Sequence, residues 1–246
     1  MMRLEQASRT HVGLVREKNE DSMLVAPDIG LYVVCDGMGG HVGGQVASQL
    51  AVQTIDQVIR TGQPPQPPED RDPLATAIRC ANYAIFTRAR QDPSLHNMGT
   101  TVVGVRQQGD VLHICHVGDS RLYRLVYSSG ELLQVTRDHS LINLYEDNPE
   151  LAKRYGPPND NVIVRAVGLN ENVEVEYQAM NLQLGDVFLL CCDGLTDMVD
   201  DWIIQQVMSD AATAHSLDEQ CDALIRAALS FGGVDNTTAI LLRVIP

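Results

Sequence analysis

The chain has 246 residues, 44% hydrophobic and 20% charged, a composition that supports a large buried core and excludes a disordered chain. Thirty-two acidic against 18 basic residues give a net charge of −14, a field that repels nucleic-acid backbones and anionic lipid, so neither is expected as a partner. Met1–Thr10 lacks the apolar core of a signal peptide and no run of about 18 apolar residues occurs, so the expectation is one cytoplasmic domain over 1–246 with no membrane insertion.

Along the chain, Ser22–Ala26 and Leu31–Cys35 read as short apolar strands. Ala47, Leu50, Ala51, Ile55, Val58 and Ile59 recur at helical spacing over Gly43–Thr61, and Gly62 offers a stop. Gln63–Pro73 carries Pro64, Pro65, Pro67, Pro68 and Pro73 and reads as a semi-rigid surface connection. A second helix follows from Leu74, Ala77, Ile78, Ala81 and Ile85. Strands over Thr100–Val105, Val111–Val117, Arg121–Val126 and Leu132–Val135, with turns at Gln108-Gly109-Asp110 and Ser128-Ser129-Gly130, predict an antiparallel meander. The polar stretch Asp138–Arg165, with Asn148-Pro149, Gly156-Pro157-Pro158 and Asn159-Asp160-Asn161, is too long for an ordinary connection and reads as a surface flap. Val173–Ala179 and Val187–Cys192 predict strands about a turn at Leu184-Gly185-Asp186. Helices are expected near Asp201–Ser209 and after Ser216, whose spacing to Glu219 is that of a capping box, and Thr237–Val244 is the last strand. With no repeated βαβ unit, this order implies antiparallel sheets covered by helices, an α+β chain.

Four apolar strands abut acidic residues: Val33-Val34-Cys35-Asp36-Gly37, His116-Val117-Gly118-Asp119, Cys191-Cys192-Asp193-Gly194, and Val234-Asp235-Asn236 entering the last strand. A carboxylate at a buried strand end is costly without a cation or hydrogen-bond donors, and several together make a hard oxygen cage suited to Mg²⁺ or Mn²⁺. A single Asp-Gly is more simply a hairpin turn; the shared context of all four shifts the balance. Zinc or iron is the weaker reading, because thiolate spacing is absent and His41 is the one histidine nearby. Cys35, Cys80, Cys115, Cys191, Cys192 and Cys221 read as reduced structural residues. Near the start, Arg16 precedes Glu20 and Asp21; it is shaped to grip phosphate oxygens, although a solvated charge run is the plain alternative.

Arg16-Glu17-Lys18-Asn19-Glu20-Asp21, Asp36-Gly37-Met38-Gly39-Gly40-His41, Gly99-Thr100-Thr101, His116-Val117-Gly118-Asp119-Ser120-Arg121, Cys192-Asp193-Gly194-Leu195 and Gly233-Val234-Asp235-Asn236 together resemble the successive motifs of the metal-dependent type 2C protein phosphatases in their compact bacterial form. They stand in family order across nearly the whole chain. The resemblance implies a four-layer αββα sandwich of two antiparallel sheets with a flap and a binuclear Mg²⁺ or Mn²⁺ site in a cleft at one end. By position Asp36 would bridge both ions, Asp193 and Asp235 would complete the first, and the Gly37 carbonyl would bind the second. Glu20 and Asp21 would act through metal-bound waters, Asn236 would support the shell, and Asp119 with Asp193 would form a weaker third site.

The activity so implied is hydrolysis of phosphoserine and phosphothreonine in proteins by a metal-activated water, with no covalent intermediate, as the counterpart of bacterial serine/threonine kinases. Arg16 would bind and orient the phosphate, and His41 would protonate the leaving oxygen. His116 reads as a strand residue satisfied internally, and neither it nor His139 is assigned to chemistry. Phosphorylated proteins, and kinases or their targets, are the implied partners of a monomer. Met38 departs from the histidine that animal members place directly after Asp-Gly. Two other readings are a catalytically silent phosphoprotein-binding module, which should lack metal ligands, and a phosphatase dedicated to one regulator.

Overall fold

The computed structural model describes residues 2–39, 42–63, 72–155, 162–210 and 216–246. His41, Pro64 to Pro68 and the Gly156–Asn161 turns lie outside them. The chain runs through β1 (Arg3–His11), β2 (Ser22–Ala26), β3 (Leu31–Cys35), β4 (Gly37–Met38), α1 (Gly43–Thr61), α2 (Pro73–Gln91), β5 (Gly99–Thr100) and β6 (Val102–Gln108). It continues through β7 (Val111–Val117), β8 (Arg121–Leu125), β9 (Leu132–Gln134), α3 (Leu141–Asp147), α4 (Pro149–Tyr155) and β10 (Glu176–Asn181). Last come β11 (Val187–Cys191), α5 (Asp193–Thr196), α6 (Asp201–Asp210), α7 (Leu217–Ser230) and β12 (Thr237–Ile245).

Two antiparallel five-stranded sheets form, in the orders β1-β12-β11-β8-β9 and β10-β7-β6-β3-β2. Strands with apolar residues on both faces are buried on both. In β11, Phe188 and Leu190, followed by Cys192, pack with Tyr32, Val34, Val103 and Ile114 of the other sheet. Val187, Leu189 and Cys191 face Ile204, Met208, Leu224 and Ala228 of α6 and α7. On the far side, α1 and α2 cover Leu31, Val33 and Val102 with Ile55, Leu74, Ile78 and Ile85. The layers are helix, sheet, sheet and helix, as expected.

The helix ends follow the sequence signals. Gly62, at φ 62°, closes α1 by donating its amide to the Val58 carbonyl, and Asp72 caps α2 by accepting from Leu74 and Ala75. Ser216 and Glu219 complete the capping box of α7.

Four expectations change. The meander is divided, because β6 and β7 belong to one sheet and β8 and β9 to the other, and the chain crosses between them at Gly118-Asp119-Ser120. β1, not expected, pairs along its length with β12, from Arg3 against Ile245 to His11 against Thr237. β10 begins at Glu176, since Val173 and Val175 turn into the helix-facing core before pairing starts. The flap contains α3 and α4; Ser140 opens α3 by accepting the Asn143 amide.

Antiparallel pairing explains why the acidic residues converge: one strand ends where its neighbour begins. Cys35 at the end of β3 faces Ser22 at the start of β2, Cys191 at the end of β11 faces Ala239 near the start of β12, and Val117 at the end of β7 faces Val102. Asp21, Asp36, Asp119, Asp193 and Asp235 therefore gather at one end of the sandwich.

Candidate metal centre

Asp36 leaves β3 with its backbone tied on both sides. Its amide donates to Thr101 Oγ1 at 3.0 Å, and its carbonyl accepts from the Thr101 amide at 2.8 Å and Thr100 Oγ1 at 2.7 Å. Burial pushes its carboxyl well above the usual carboxylate range, and the charges of Asp21 and Asp193 push the same way. Asp193, in the first turn of α5, is also raised, chiefly by burial, and shares a hydrogen bond with Asp36. Burial, then the Asp193 charge, lifts Asp119 to about 7. Burial likewise lifts Asp21 to about 7, although hydrogen bonds from Thr238 and Cys192 oppose the shift.

Asp21 Oδ1 and Asp119 Oδ1 are buried with no hydrogen-bond partner among the described residues. Asp21, Asp36 and Cys192 each bring a ligating atom within 4.8 Å of the others. Carboxylates that repel one another, with buried oxygens left over, form a donor set that fits a hard divalent cation.

Glycines let the backbone close around this set. A Cβ on Gly37 would collide with the carbonyl oxygens of Gly44 and Glu20, and one on Gly44 would lie 2.6 Å from Glu20 Oε2. The Gly37 backbone and the Glu20 side chain are thereby held beside Asp36. Asn236 fastens the loop that carries them: its Oδ1 accepts the Glu20 amide at 2.7 Å, and its Nδ2 donates to the Val12 and Lys18 carbonyls at 2.9 Å.

Arg16 Nη2 lies 2.6 Å from Asp235 Oδ2 with more than half of its side chain exposed, a contact that the sequence reading of two separate roles did not foresee. Arg16, Glu20, Asp36, Met38, Asp193 and Asp235 line a cleft of about 900 Å³, and Ile163 of the flap reaches its wall. A second cavity, about 660 Å³, is lined by Asp119, Arg121, Arg137, Asp138, Asp193 and Asp197, so the two share Asp193. Asp197 was missed from sequence. Its carboxyl is raised by burial and then by Asp193, and the i, i+4 spacing on α5 was the available signal.

The cysteines behave as structural residues. None of the six is in a disulfide among the described residues; Cys80 is partly exposed and the others are buried. Burial holds the Cys191 thiol up near 12 and raises Cys192 well above its ordinary value, so neither is poised as a nucleophile. His116 and His139 stack at 4.7 Å between ring centres. His116 Nε2 bonds the Arg137 carbonyl at 2.9 Å; His139 Nδ1 accepts the Gly118 amide at 2.9 Å while its Nε2 meets Glu176 Oε1 at 3.0 Å.

The sequence profile described as protein phosphatase 2C matches residues 7–228. The serine/threonine protein phosphatase PstP of Mycobacterium tuberculosis is 35% identical over 251 residues, covering 98% of this chain but 45% of PstP, so the chain spans about half the length of that relative. The serine/threonine phosphatase stp of Listeria monocytogenes is 34% identical over 240 residues, covering 95% of this chain and 93% of its own. Among solved structures, the catalytic domain of PstP in complex with two manganese ions matches with a TM-score of 0.83 at 34% identity over 100% of both chains. PppA, described as a key regulatory component of T6SS in Pseudomonas aeruginosa, matches with a TM-score of 0.81 at 34% identity over 99% of this chain and 98% of its own.

Proposed function

The chain belongs to the protein phosphatase 2C family, and from that premise we propose that it hydrolyses phosphoserine and phosphothreonine side chains of other proteins with two divalent ions, Mg²⁺ or Mn²⁺. The observation that carries this is the buried, mutually repelling carboxylate set, of which Asp36 and Asp193 line the Arg16 cleft while Asp21 and Asp119 keep a buried oxygen without a partner among the described residues. Asp36 would serve both ions, Asp193 and Asp235 the first and the Gly37 carbonyl the second, with Glu20 and Asp21 acting mainly through metal-bound waters and Asp119 with Asp193 forming a weaker third site. When bound, the ions supply a water acidified to act at neutral pH and positive charge beside the phosphoryl oxygens.

The protein's own residues do the rest. Arg16, at the cleft wall, offers guanidinium donors to the phosphate and orients it for in-line displacement, and Asn236 holds the loop that sets its position. Water oxygen bonds to phosphorus as the bond from phosphorus to the seryl or threonyl oxygen breaks, inorganic phosphate leaves, and the released oxygen takes a proton. His41 is assigned that donation from the sequence. The partners implied are phosphoproteins and the kinases that modify them, met by a cytoplasmic monomer; no helix among the described residues is long and apolar enough to cross a membrane. A silent binding module is disfavoured because Asp36, Asp119, Asp193 and Asp235 are all present and meet at one end.

The test is direct. Purified protein with Mn²⁺ releases phosphate from a phosphothreonine peptide, loses this on chelation, and regains it when Mn²⁺ is restored. Full activity in excess chelator overturns the assignment.

A further inference from the structure

The entrance to β2 holds a hydrogen-bond ring whose directions can all be assigned. Asp21 Oδ2 accepts from Thr238 Oγ1 at 2.6 Å. A hydroxyl has one proton, so the 2.7 Å contact between Thr238 Oγ1 and Thr10 Oγ1 must be donated by Thr10. Thr10 accepts in turn from Asn19 Nδ2 at 2.8 Å, and Asn19 Oδ1 accepts the amide of Asp21 itself at 3.1 Å. The ring therefore runs from the Asp21 amide through Asn19, Thr10 and Thr238 back to the Asp21 carboxylate.

Cys192 braces it from the other side. Its sulfur accepts the Thr238 amide at 3.1 Å, and its S–H has Asp21 Oδ2 at 3.2 Å and the Asn236 carbonyl at 3.4 Å as acceptors, of which the charged one binds more strongly. Two donors thus saturate Oδ2 and fix the carboxylate plane. Oδ1, buried and without a partner among the described residues, is the unspent oxygen of a carboxylate that has ligating atoms of Asp36 and Cys192 within 4.8 Å.

We propose that Thr238, Cys192, Asn19 and Thr10 are positioning residues that hold the Asp21 carboxylate in the one orientation that presents Oδ1 to a divalent ion. The proposal rests on reading Asp21 as a residue of the metal site, reaching the ion directly or through a water bound to it. Partners of this kind typically change metal affinity about 10- to 100-fold. Thr10 lies exposed on β1, so this strand, remote in sequence from the acidic motifs, extends the control of the metal site to the surface.

The experiment measures Mn²⁺ binding directly, by calorimetry and by the EPR signal of free Mn²⁺, on the whole chain. Thr238→Val, which keeps shape and removes the hydroxyl, should weaken binding of one ion about 10- to 100-fold, and Thr10→Val by less. The double variant should bind no more weakly than Thr238→Val, since both changes cut one chain. Thr10→Ser should bind as the parent does, because it keeps the hydroxyl. Should Thr238→Val fail to fold, the exposed Thr10→Val and Thr10→Ser pair decides. Parental Mn²⁺ affinity in folded Thr238→Val, or in Thr10→Val, overturns the inference alone; a parent that binds no Mn²⁺ overturns it together with the proposed function.

Discussion

Among the described residues, two clusters each bring together three side chains of metal-ligating type: Asp21, Asp36 and Cys192 at the end of the sandwich, and His116, His139 and Glu176 at the start of the flap. They differ in what is left over. In the histidine cluster the Gly118 amide occupies His139 Nδ1, which puts the ring proton on Nε2 facing Glu176, and the Arg165 guanidinium stands 3.1 Å from the same nitrogen. Both nitrogens of His139 are thus engaged, and the Arg165 cation already stands beside the cluster. In the acidic cluster the carboxylates face one another, and Oδ1 of Asp21 and of nearby Asp119 have no donor among the described residues. Unspent acceptors and uncompensated charge, more than residue type, separate a site built for an ion from a structural network.

The comparison is most exposed to failure in the rate. Asp193→Ala should lower phosphopeptide turnover at saturating Mn²⁺ by about a thousandfold or more while the far-UV spectrum is retained. His139→Ala should do the reverse, keeping the thermal upshift on adding Mn²⁺ and losing about 1–3 kcal/mol of stability in urea, because the Gly118 amide loses its buried acceptor. If Asp193→Ala kept the Mn²⁺ upshift and His139→Ala lost it, the two clusters would have to exchange roles. A smaller effect concerns Asp36→Asn. At a pH high enough to ionise Asp36, removing this buried carboxylate repelled by Asp21 and Asp193 should stabilise the chelated protein by about 1 kcal/mol, read from the urea midpoint, while abolishing activity. A destabilised chelated variant would mean that Asp36 is already neutralised by the protein.

The same contrast governs what could be read from sequence. Strand-end aspartates stood out because Leu31–Cys35 and Val187–Cys192 are apolar throughout, which makes a following acid conspicuous. The helices α1, α2, α6 and α7 were legible from spacing and caps, whereas the short α3, α4 and α5 were not. β1 was not: in Arg3–His11 Leu4 and Ala7 alone are buried apolar residues, and the strand exists through pairing with β12, a contact of long sequence separation. Thr10 and its ring were hidden for that reason. The division of the meander was also invisible locally, since β7 and β8 have ordinary strand patterns and the crossing at Gly118 depends on which sheet offers a free neighbour. Arg16 and Asp235 were each found, but their pairing joins ends of the chain that no periodicity relates.

The weakest effect is also the one in which the two clusters oppose each other. His116 and His139 are lowered from 6.5 by burial, so below that value the unfolded chain takes up protons that the folded one refuses, and stability falls as the pH drops. Asp21 and Asp119 are raised from 3.8 to about 7, so the folded chelated protein takes up protons that the unfolded one refuses, and stability rises as the pH drops through 7. Divalent ions hold these carboxylates ionised and remove the second contribution. In chelator the raised carboxylates should therefore dominate, and the urea midpoint should rise from pH 7.5 to 6; at saturating Mn²⁺ the slope should change sign, by at most about 1.4 kcal/mol per pH unit for each histidine. His139→Gln should flatten the Mn²⁺ slope and leave the chelator slope steeper. Equal slopes with and without Mn²⁺ would show that the acidic cluster does not carry the ion, because an ion bound there must displace the protons that Asp21 and Asp119 take up near pH 7.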